Sequence, residues 1–336
     1  KILEGIEFKR KHASHHHRHK MLVVAEPILD DLRSHPDVIR CDIAGSLRRG
    51  KEVSGDIDFL VSAKESEDII HAFTTREGIL SILAAGNTKA SVLLEGGIQS
   101  DLRVVDDSEF ASALAYFTGS KEHNIVMRSR AISRGLRLNE YGLFKSKEET
   151  RDPKLRLKSK TEEDIFAALG MVYVPPELRE DRGEFEAGEN NDIPNLIEWT
   201  HLKGSLHNHS NWSDGQETLE EIAEHMSGLG LAYWAITDHS KASFQANGLD
   251  SGRVKKQLKE IGVLNQKLED EGNDFRLLSG IEVDVLKKGL DFDDDLLNQL
   301  DVVVASMHVA GSEEKDNTNR LFKAVENPNV HMIGHL

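Results

Sequence analysis

At 336 residues the chain is longer than one ordinary core supports, and about 150 residues per domain sets an expectation of two or three domains. With 38% apolar and 30% charged residues, and no apolar run near the ~18 residues of a membrane helix, a membrane span is excluded. A single cysteine, Cys41, excludes an internal disulfide, so a reduced, cytoplasmic setting is expected and Cys41 is read as packing. The net charge of −16 argues against a nucleic-acid partner until it is divided. Residues 1–160 hold 27 Lys and Arg against 24 Asp and Glu, and the remaining 15 and 34 fall in 161–336. The front half is therefore able to face phosphate, and acidic runs such as Asp291, Asp293, Asp294 and Asp295 read as solvated surface.

The chain begins without methionine, and residues upstream are expected. Five of the sixteen histidines lie between His12 and His19. That density could bind metal, but it reads as an exposed basic segment or a trace of sequence engineering. Val24, Ile28 and Leu32 then mark one face of an amphipathic helix. From Val38 to Val61 the pattern is strand, Gly-Ser turn, short helix and a second strand. Ala90–Leu94 and Ile98–Val105 form a strand pair turned at Gly96-Gly97. Residues 108–135 read as two helices broken at Thr118-Gly119-Ser120, and Asn139–Phe144 is extended. Thr161, with Glu163 and Asp164 in its first turn, starts a helical stretch ending at Pro175-Pro176, and residues 181–198 look like a linker. Beyond it, apolar strands (Leu231–Thr237, Leu277–Val285, Val302–Met307) alternate with helices (Leu219–Leu229, Arg253–Glu271), the βα pattern of a barrel-like parallel sheet.

Asp56 and Asp58 are one residue apart on a strand, so both carboxylates share a face. Like charges at that distance repel unless cations neutralise them, and hard Mg²⁺ or Mn²⁺ suits such ligands. Asp101, entering the neighbouring strand, is placed to close a three-carboxylate site able to hold two metals for nucleotidyl transfer. Just upstream, Gly45-Ser46-Leu47-Arg48-Arg49-Gly50 offers a tight turn, a hydroxyl and two guanidinium groups to phosphate. Either piece alone is common on an exposed strand face or a basic turn; together they favour nucleotidyl transfer.

With these motifs the segment resembles the palm of the nucleotidyltransferase superfamily, and Tyr116-Phe117-Thr118-Gly119-Ser120 resembles family X DNA polymerases in particular. The resemblance implies that Tyr116, Phe117 and Gly119 line the sugar of an incoming deoxynucleotide, that Asn124 reads its base edge, and that Arg128 reaches the template minor groove. It implies triphosphate contacts for Ser46 and Arg49, with Gly45, Arg48 and Gly55 close by, and help from Asp101 in deprotonating the primer 3′-hydroxyl. It covers roughly residues 1–180, including Tyr173–Glu180, a closing segment common in the bacterial and archaeal branch. The family's helix-hairpin-helix domain, expected ahead of this region, is not represented.

In the second half, His207-x-His209, Ser213-Asp214-Gly215, Thr237-Asp238-His239, Gly280-Ile281-Glu282, His308 and Gly334-His335 recur at or near the ends of successive strands. On a parallel barrel such positions converge on one rim, and mixed His/Asp/Glu donors suit Zn²⁺, Mn²⁺ or Fe for phosphoester hydrolysis. This half resembles the PHP domain, named for polymerase and histidinol phosphatase. The resemblance implies that His207, His209, Asp214, His239, Glu282, His308 and His335 are metal ligands. The family's final Asp-x-His motif is expected beyond Leu336: if the natural protein continues, a whole domain that removes nucleotides or phosphates from DNA 3′ ends is expected; if these residues are the entire molecule, two ligands are missing and weak or no hydrolysis is expected.

The expected architecture is a multidomain α/β and α+β chain: the end of fingers and a connecting helix (1–34), a mixed-sheet nucleotidyltransferase palm (35–107), a thumb (108–180), a linker (181–200) and a C-terminally incomplete, distorted (β/α) PHP barrel (201–336). The expected activity is gap-filling DNA synthesis in repair with a 3′-5′ exonuclease or 3′-end phosphoesterase, on gapped or primer-template DNA with deoxynucleoside triphosphates, by a monomer without membrane attachment. Two alternatives stand beside it: a PHP phosphatase acting on a small phosphate ester, and a non-catalytic scaffold that binds DNA ends.

Overall fold

The computed structural model describes residues 15–308 and 314–335, in two units, one ending at Asn195 and the other beginning at Leu196. The part of the His-rich segment before His15 lies outside the described residues. His16–His17 (β1) pairs antiparallel with Val53–Ser54 (β3). In α1 (Arg18–Ser34) Met21, Ala25, Ile28, Leu29 and Leu32 are buried, a helical spacing that turns one apolar stripe onto a sheet.

That sheet has five strands in the order β2 (Val38–Ile43), β4 (Asp56–Ala63), β7 (Gln99–Val105), β6 (Lys89–Leu94), β5 (Ile79–Ala85). Only β4 and β7 run parallel; the other neighbours are antiparallel, so the sheet is mixed. Strand alternation sorts β4 into two sets. After the short α2 (Gly45–Arg48), Ile57, Phe59 and Val61 point into the core under α1 and α3 (Glu67–Thr74), with Ile69, Ile70 and Phe73. Leu60 points the other way, onto Phe110, Ala113 and Leu114 of α4 (Phe110–Thr118). Asp56 and Asp58 share the Leu60 face, where Asp58 lines a cavity with Asp101, Lys89, Arg103 and Phe117 of α4. The edge strand β5 was not anticipated; its Leu80, Ile82 and Leu83 are exposed, so it lacks the alternating burial by which sequence marks a strand.

α4 and α5 (Lys121–Ser133) break at Gly119 as expected, and the Ser120 side chain caps α5 by accepting from His123 N. A hairpin of β8 (Arg137–Asn139) and β9 (Gly142–Phe144) follows. Two expectations are corrected here. The helix begun at Thr161 ends early, at Ala168 (α6, Glu162–Ala168), where Leu169 and Gly170 turn the chain back onto its own core. Residues 181–198 are not a plain linker, because Glu184–Asn190 (α7) packs Phe185 onto the core built by Met127, Phe166, Leu169 and Val174. Glu184, itself buried, accepts from Asp181 N (2.8 Å), Arg182 N (2.6 Å) and His123 Nδ1 (2.9 Å). Burial holds the His123 imidazole below its ordinary value, against the pull of its contact with Glu184.

The second unit is built on the strands β10 (Gly204–Ser205), β11 (Tyr233–Ile236), β12 (Arg276–Leu286), β14 (Val302–Ser306) and β15 (Met332–Gly334), adjacent in chain order and all parallel, with β13 (Gly289–Leu290) folded back on β12. α8 (Leu219–Gly228) and α9 (Ser251–Asp270) cover one face through Leu219, Ile222, Ala223 and Ile261 against Ile236 and Leu277. Ala235, Val302 and Val304 pack together on the other. α10 (Asp294–Leu297) and α11 (Glu314–Val325) complete the connections. Asp291 corrects the reading of a solvated acidic run: it is buried and accepts from Ala242 N at 2.7 Å, while Asp293 caps α10 by accepting from Leu296 N.

Candidate functional site

Register places Asp58 opposite Asp101 and Asp56 opposite Gln99 across the parallel pair β4 and β7. One oxygen from each of Asp56, Asp58 and Asp101 comes within 4.8 Å of the others. Burial, then the charges of Asp56 and Asp101, push the Asp58 carboxyl up to about 7, against the pull of Lys89 and Arg103. Burial and the Asp101 charge raise Asp56 as well, opposed by His15. The cluster is short of positive charge, which an oxygen-preferring divalent cation supplies, so the donor set fits such an ion. Asp101 is held by two donors that sequence reasoning does not single out, the Ser91 hydroxyl and Gln99 Nε2 (3.2 Å).

Gly45 must be glycine for two reasons: its φ is +64°, and a Cβ there would overlap the Asp58 carboxylate. The Ser46 hydroxyl bonds that of Ser54, next to Gly55. Arg49 donates to Glu180 Oε1 (2.8 Å) and to the carbonyl of Thr118, which brings it beside Gly119; a Cβ on Gly119 would stand 3.1 Å from its guanidinium. Arg48 takes a different course, turning to Thr118 Oγ1 (2.7 Å) and Glu162 Oε2 (2.7 Å). Glu162 also accepts from the fully buried Arg179 (2.6 Å), whose carbonyl accepts from Ser120 N. These buried ion pairs tie the Gly45–Gly50 turn to the segment around Glu162 and Arg179; Glu162 carries no sequence signal beyond its charge, and Arg179 none beyond its place in the Tyr173–Glu180 segment. The Tyr116 and Phe117 rings meet edge-on at 5.2 Å, Asn124 Nδ2 donates to Tyr116 O (2.7 Å), and Arg103 lies over Phe117. Arg128 is exposed one turn along α5 from Asn124. Tyr116, Asn124 and Arg128 line one cavity with His123 and Phe166.

In the second unit the seven expected ligands converge. Glu282, on β12, is fully buried, and neither of its oxygens has a hydrogen-bond donor in alignment among the described residues. Five imidazole nitrogens surround it: His239 Nδ1 at 2.9 Å, His335 Nε2 at 3.2 Å, His308 Nε2 at 3.3 Å, His207 Nε2 at 3.4 Å and His209 Nε2 at 3.5 Å. Asp214 bridges His209 (3.3 Å) and His239 (3.5 Å). Burial opposes ionisation of Glu282, but contact with His239 and the Ser306 hydroxyl, with the charges of His239 and His207, carries it well below the carboxylate range. The contact with Glu282 raises His239 against its burial, whereas burial and the His239 charge lower His209. A buried carboxylate with unsatisfied oxygens inside a ring of imidazoles is the donor set of a transition-metal centre, and the residues fit one. Behind it, fully buried Asp238 accepts from Ser210 N (2.8 Å), Ser210 Oγ (2.6 Å) and Gln257 Nε2 (2.6 Å), fixing the loops that carry His209 and His239. Sequence reasoning passed over it as the middle residue of a motif.

Among the described residues no helix is long and apolar enough to cross a membrane. Family models match consecutive parts of the chain: DNA polymerase beta palm over residues 17–113, DNA polymerase beta thumb over 113–180 and PHP domain over 205–331. The chain is 38% identical over 318 residues to the DNA polymerase/3′-5′ exonuclease PolX of Bacillus subtilis (strain 168), an alignment spanning 94% of this chain and 54% of that protein. It is 30% identical over 141 residues to a repair DNA polymerase X of African swine fever virus, 40% of this chain and 78% of the relative. A probable phosphatase of Thermoanaerobacter sp. (strain X514) is 32% identical over 143 residues, 40% of this chain and 51% of the relative. The chain thus spans about half the length of its Bacillus relative. With a polymerase-beta palm and thumb followed by a PHP domain, the chain belongs to the X family of DNA polymerases.

Proposed function

We propose that the first unit performs template-directed addition of deoxynucleotides at gaps in damaged DNA, and that the second trims or cleans 3′ ends as a 3′-5′ exonuclease or phosphoesterase. The observation that carries the reading is the three-carboxylate cluster at the start of β4 and β7, beside a turn whose Gly45 a Cβ would drive into Asp58. Mg²⁺ or Mn²⁺ held by Asp56, Asp58 and Asp101 would supply charge neutralisation for the triphosphate and the attacking oxygen. Asp101, steadied by Ser91 and Gln99, accepts the proton of the primer 3′-hydroxyl. Ser46 and Arg49 bind the triphosphate, Arg49 by exchanging Glu180 for phosphate oxygens. Tyr116, Phe117 and Gly119 accept the sugar, Asn124 the base edge and Arg128 the template.

In the second unit His207, His209, Asp214, His239, Glu282, His308 and His335 would hold Mn²⁺, Zn²⁺ or Fe, whose chemistry is activation of water toward a phosphoester. We read the protein as a cytoplasmic monomer acting on gapped or primer-template DNA with deoxynucleoside triphosphates. A second reading, a phosphatase acting on a small phosphate ester, is favoured by the match to the Thermoanaerobacter phosphatase. Asp101→Ala separates the two. Primer extension lost with phosphomonoester hydrolysis unchanged supports the polymerase; no extension by either protein on DNA that both bind removes it.

A further inference from the structure

β12 carries two carboxylates at alternate positions, Glu282 and Asp284, so both project from the same face of the strand. Glu282 faces the imidazole ring described above. Asp284 is also buried, at 3% exposure, and it stands behind that ring. Its Oδ1 is 2.8 Å from His308 Nδ1, and its Oδ2 accepts from Ser243 Oγ at 2.8 Å. An ionised carboxylate only accepts, so Nδ1 of His308 donates to Asp284, and Nε2, 3.3 Å from Glu282, is the nitrogen turned to the inner side. The same residue holds a second piece of the rim. Asp284 N donates to Ser240 Oγ (3.0 Å), and Ser240, the residue after His239, donates its own N–H to the Glu282 carbonyl (3.0 Å).

We infer that Asp284 is a positioning residue of the PHP centre, which fixes the tautomer and aim of His308 and pins the loop that presents His239. A carboxylate on the outer nitrogen of a metal-binding imidazole sets ring orientation and raises ligand basicity, and its removal typically costs roughly 10–100-fold in metal affinity. The inference rests on the reading of the histidine cluster as a metal centre, so its test includes a control for that reading.

The experiment titrates the metal-free full chain with Zn²⁺ and with Mn²⁺ by calorimetry, for the unmodified protein, Asp284→Asn, His308→Ala, the double variant and Glu282→Gln. Histidine ¹⁵N shifts report the His308 tautomer in the metal-free state. Asp284→Asn is expected to weaken metal binding by about 10–100-fold and to shift the His308 proton from Nδ1 toward Nε2. If Asp284 acts through His308, adding Asp284→Asn to His308→Ala weakens binding by much less than it does alone, whereas a merely structural role makes the two losses multiply. Primer extension by each variant reports whether the first unit is intact, and should Asp284→Asn lower the melting temperature severely, Ser243→Ala, which loosens the same carboxylate from its other side, is expected to shift the tautomer in the same direction. Unchanged affinity in Asp284→Asn with the Nδ1 proton retained overturns the inference. Unchanged affinity in Glu282→Gln overturns instead the reading of the cluster as a metal centre.

Discussion

Asp58→Asn should make the metal-free protein more stable at alkaline pH while abolishing its synthesis activity. Folding moves the Asp58 carboxyl up to about 7, through burial and the neighbouring Asp56 and Asp101 charges, from the ~4 of a free aspartate. The folded state therefore holds this proton more tightly than the unfolded state. The stability it contributes is present at low pH and is lost as pH rises from about 4 through about 7. At ~1.4 kcal/mol per tenfold change in proton affinity the cost above pH 7 reaches about 4 kcal/mol, and relaxation of a partly exposed site brings the expected effect to roughly 2 kcal/mol. Asparagine keeps the shape and loses the charge. Calorimetric melting in EDTA should show the first unit of the variant melting roughly 4–8 °C above the unmodified protein at pH 8, with a smaller difference at pH 5. Saturating Mg²⁺ or Mn²⁺ should stabilise the unmodified protein more than the variant and narrow the gap. A variant less stable than the parent at pH 8, or a difference that does not change with pH, refutes the reasoning.

Burial raises the Cys41 thiol to about 12, so the native protein should not react with a thiol-disulfide reagent at pH 8, while one equivalent should react in 6 M guanidinium. Glu162→Gln removes the counter-charge of buried Arg179 and of Arg48; urea denaturation should show a loss of roughly 3–5 kcal/mol, and an unchanged midpoint would mean that the ion pairs contribute nothing net. Gly45→Ala forces a side chain into a backbone at φ +64° and against Asp58; single-turnover incorporation should fall by ~100-fold or more, with the hydrolytic activity of the second unit as the internal standard.

The carboxylate site was legible in part because strand alternation alone puts Asp56 and Asp58 on one face; the Gly96-Gly97 hairpin sets Asp101 opposite Ser91, and the parallel pairing of β7 with β4 sets it opposite Asp58. The histidine rim was legible because His207, His239, His308 and His335 follow the ends of parallel strands, which topology brings together; Glu282, expected at a strand end, instead lies within β12, which runs on to Leu286. What sequence did not reveal is the layer behind these residues. Ser91 and Gln99 on Asp101, Asp238 behind His209, and Asp284 behind His308 are ordinary polar residues until their burial and partners are known. Asp284 did leave one trace, its spacing of two from Glu282. The helix Glu184–Asn190 was hidden by a composition of Gly, Glu and Asn that usually marks a linker. Its order comes from tertiary contacts, Phe185 on the thumb core and Glu184 on His123, which no local pattern encodes. The reversed aim of Arg48 is of the same kind, because it depends on Glu162, 114 residues away in sequence.

The central claim is that two independent metal-dependent sites occupy one chain and that the first makes DNA. Its most direct test is incorporation of a single deoxynucleotide into a one-nucleotide gapped duplex with Mg²⁺ or Mn²⁺, comparing the unmodified chain with Asp58→Ala and His209→Ala. The account predicts incorporation by the unmodified and His209→Ala proteins and none by Asp58→Ala. Failure of the unmodified chain on gapped DNA that it demonstrably binds, or equal incorporation by Asp58→Ala, contradicts it.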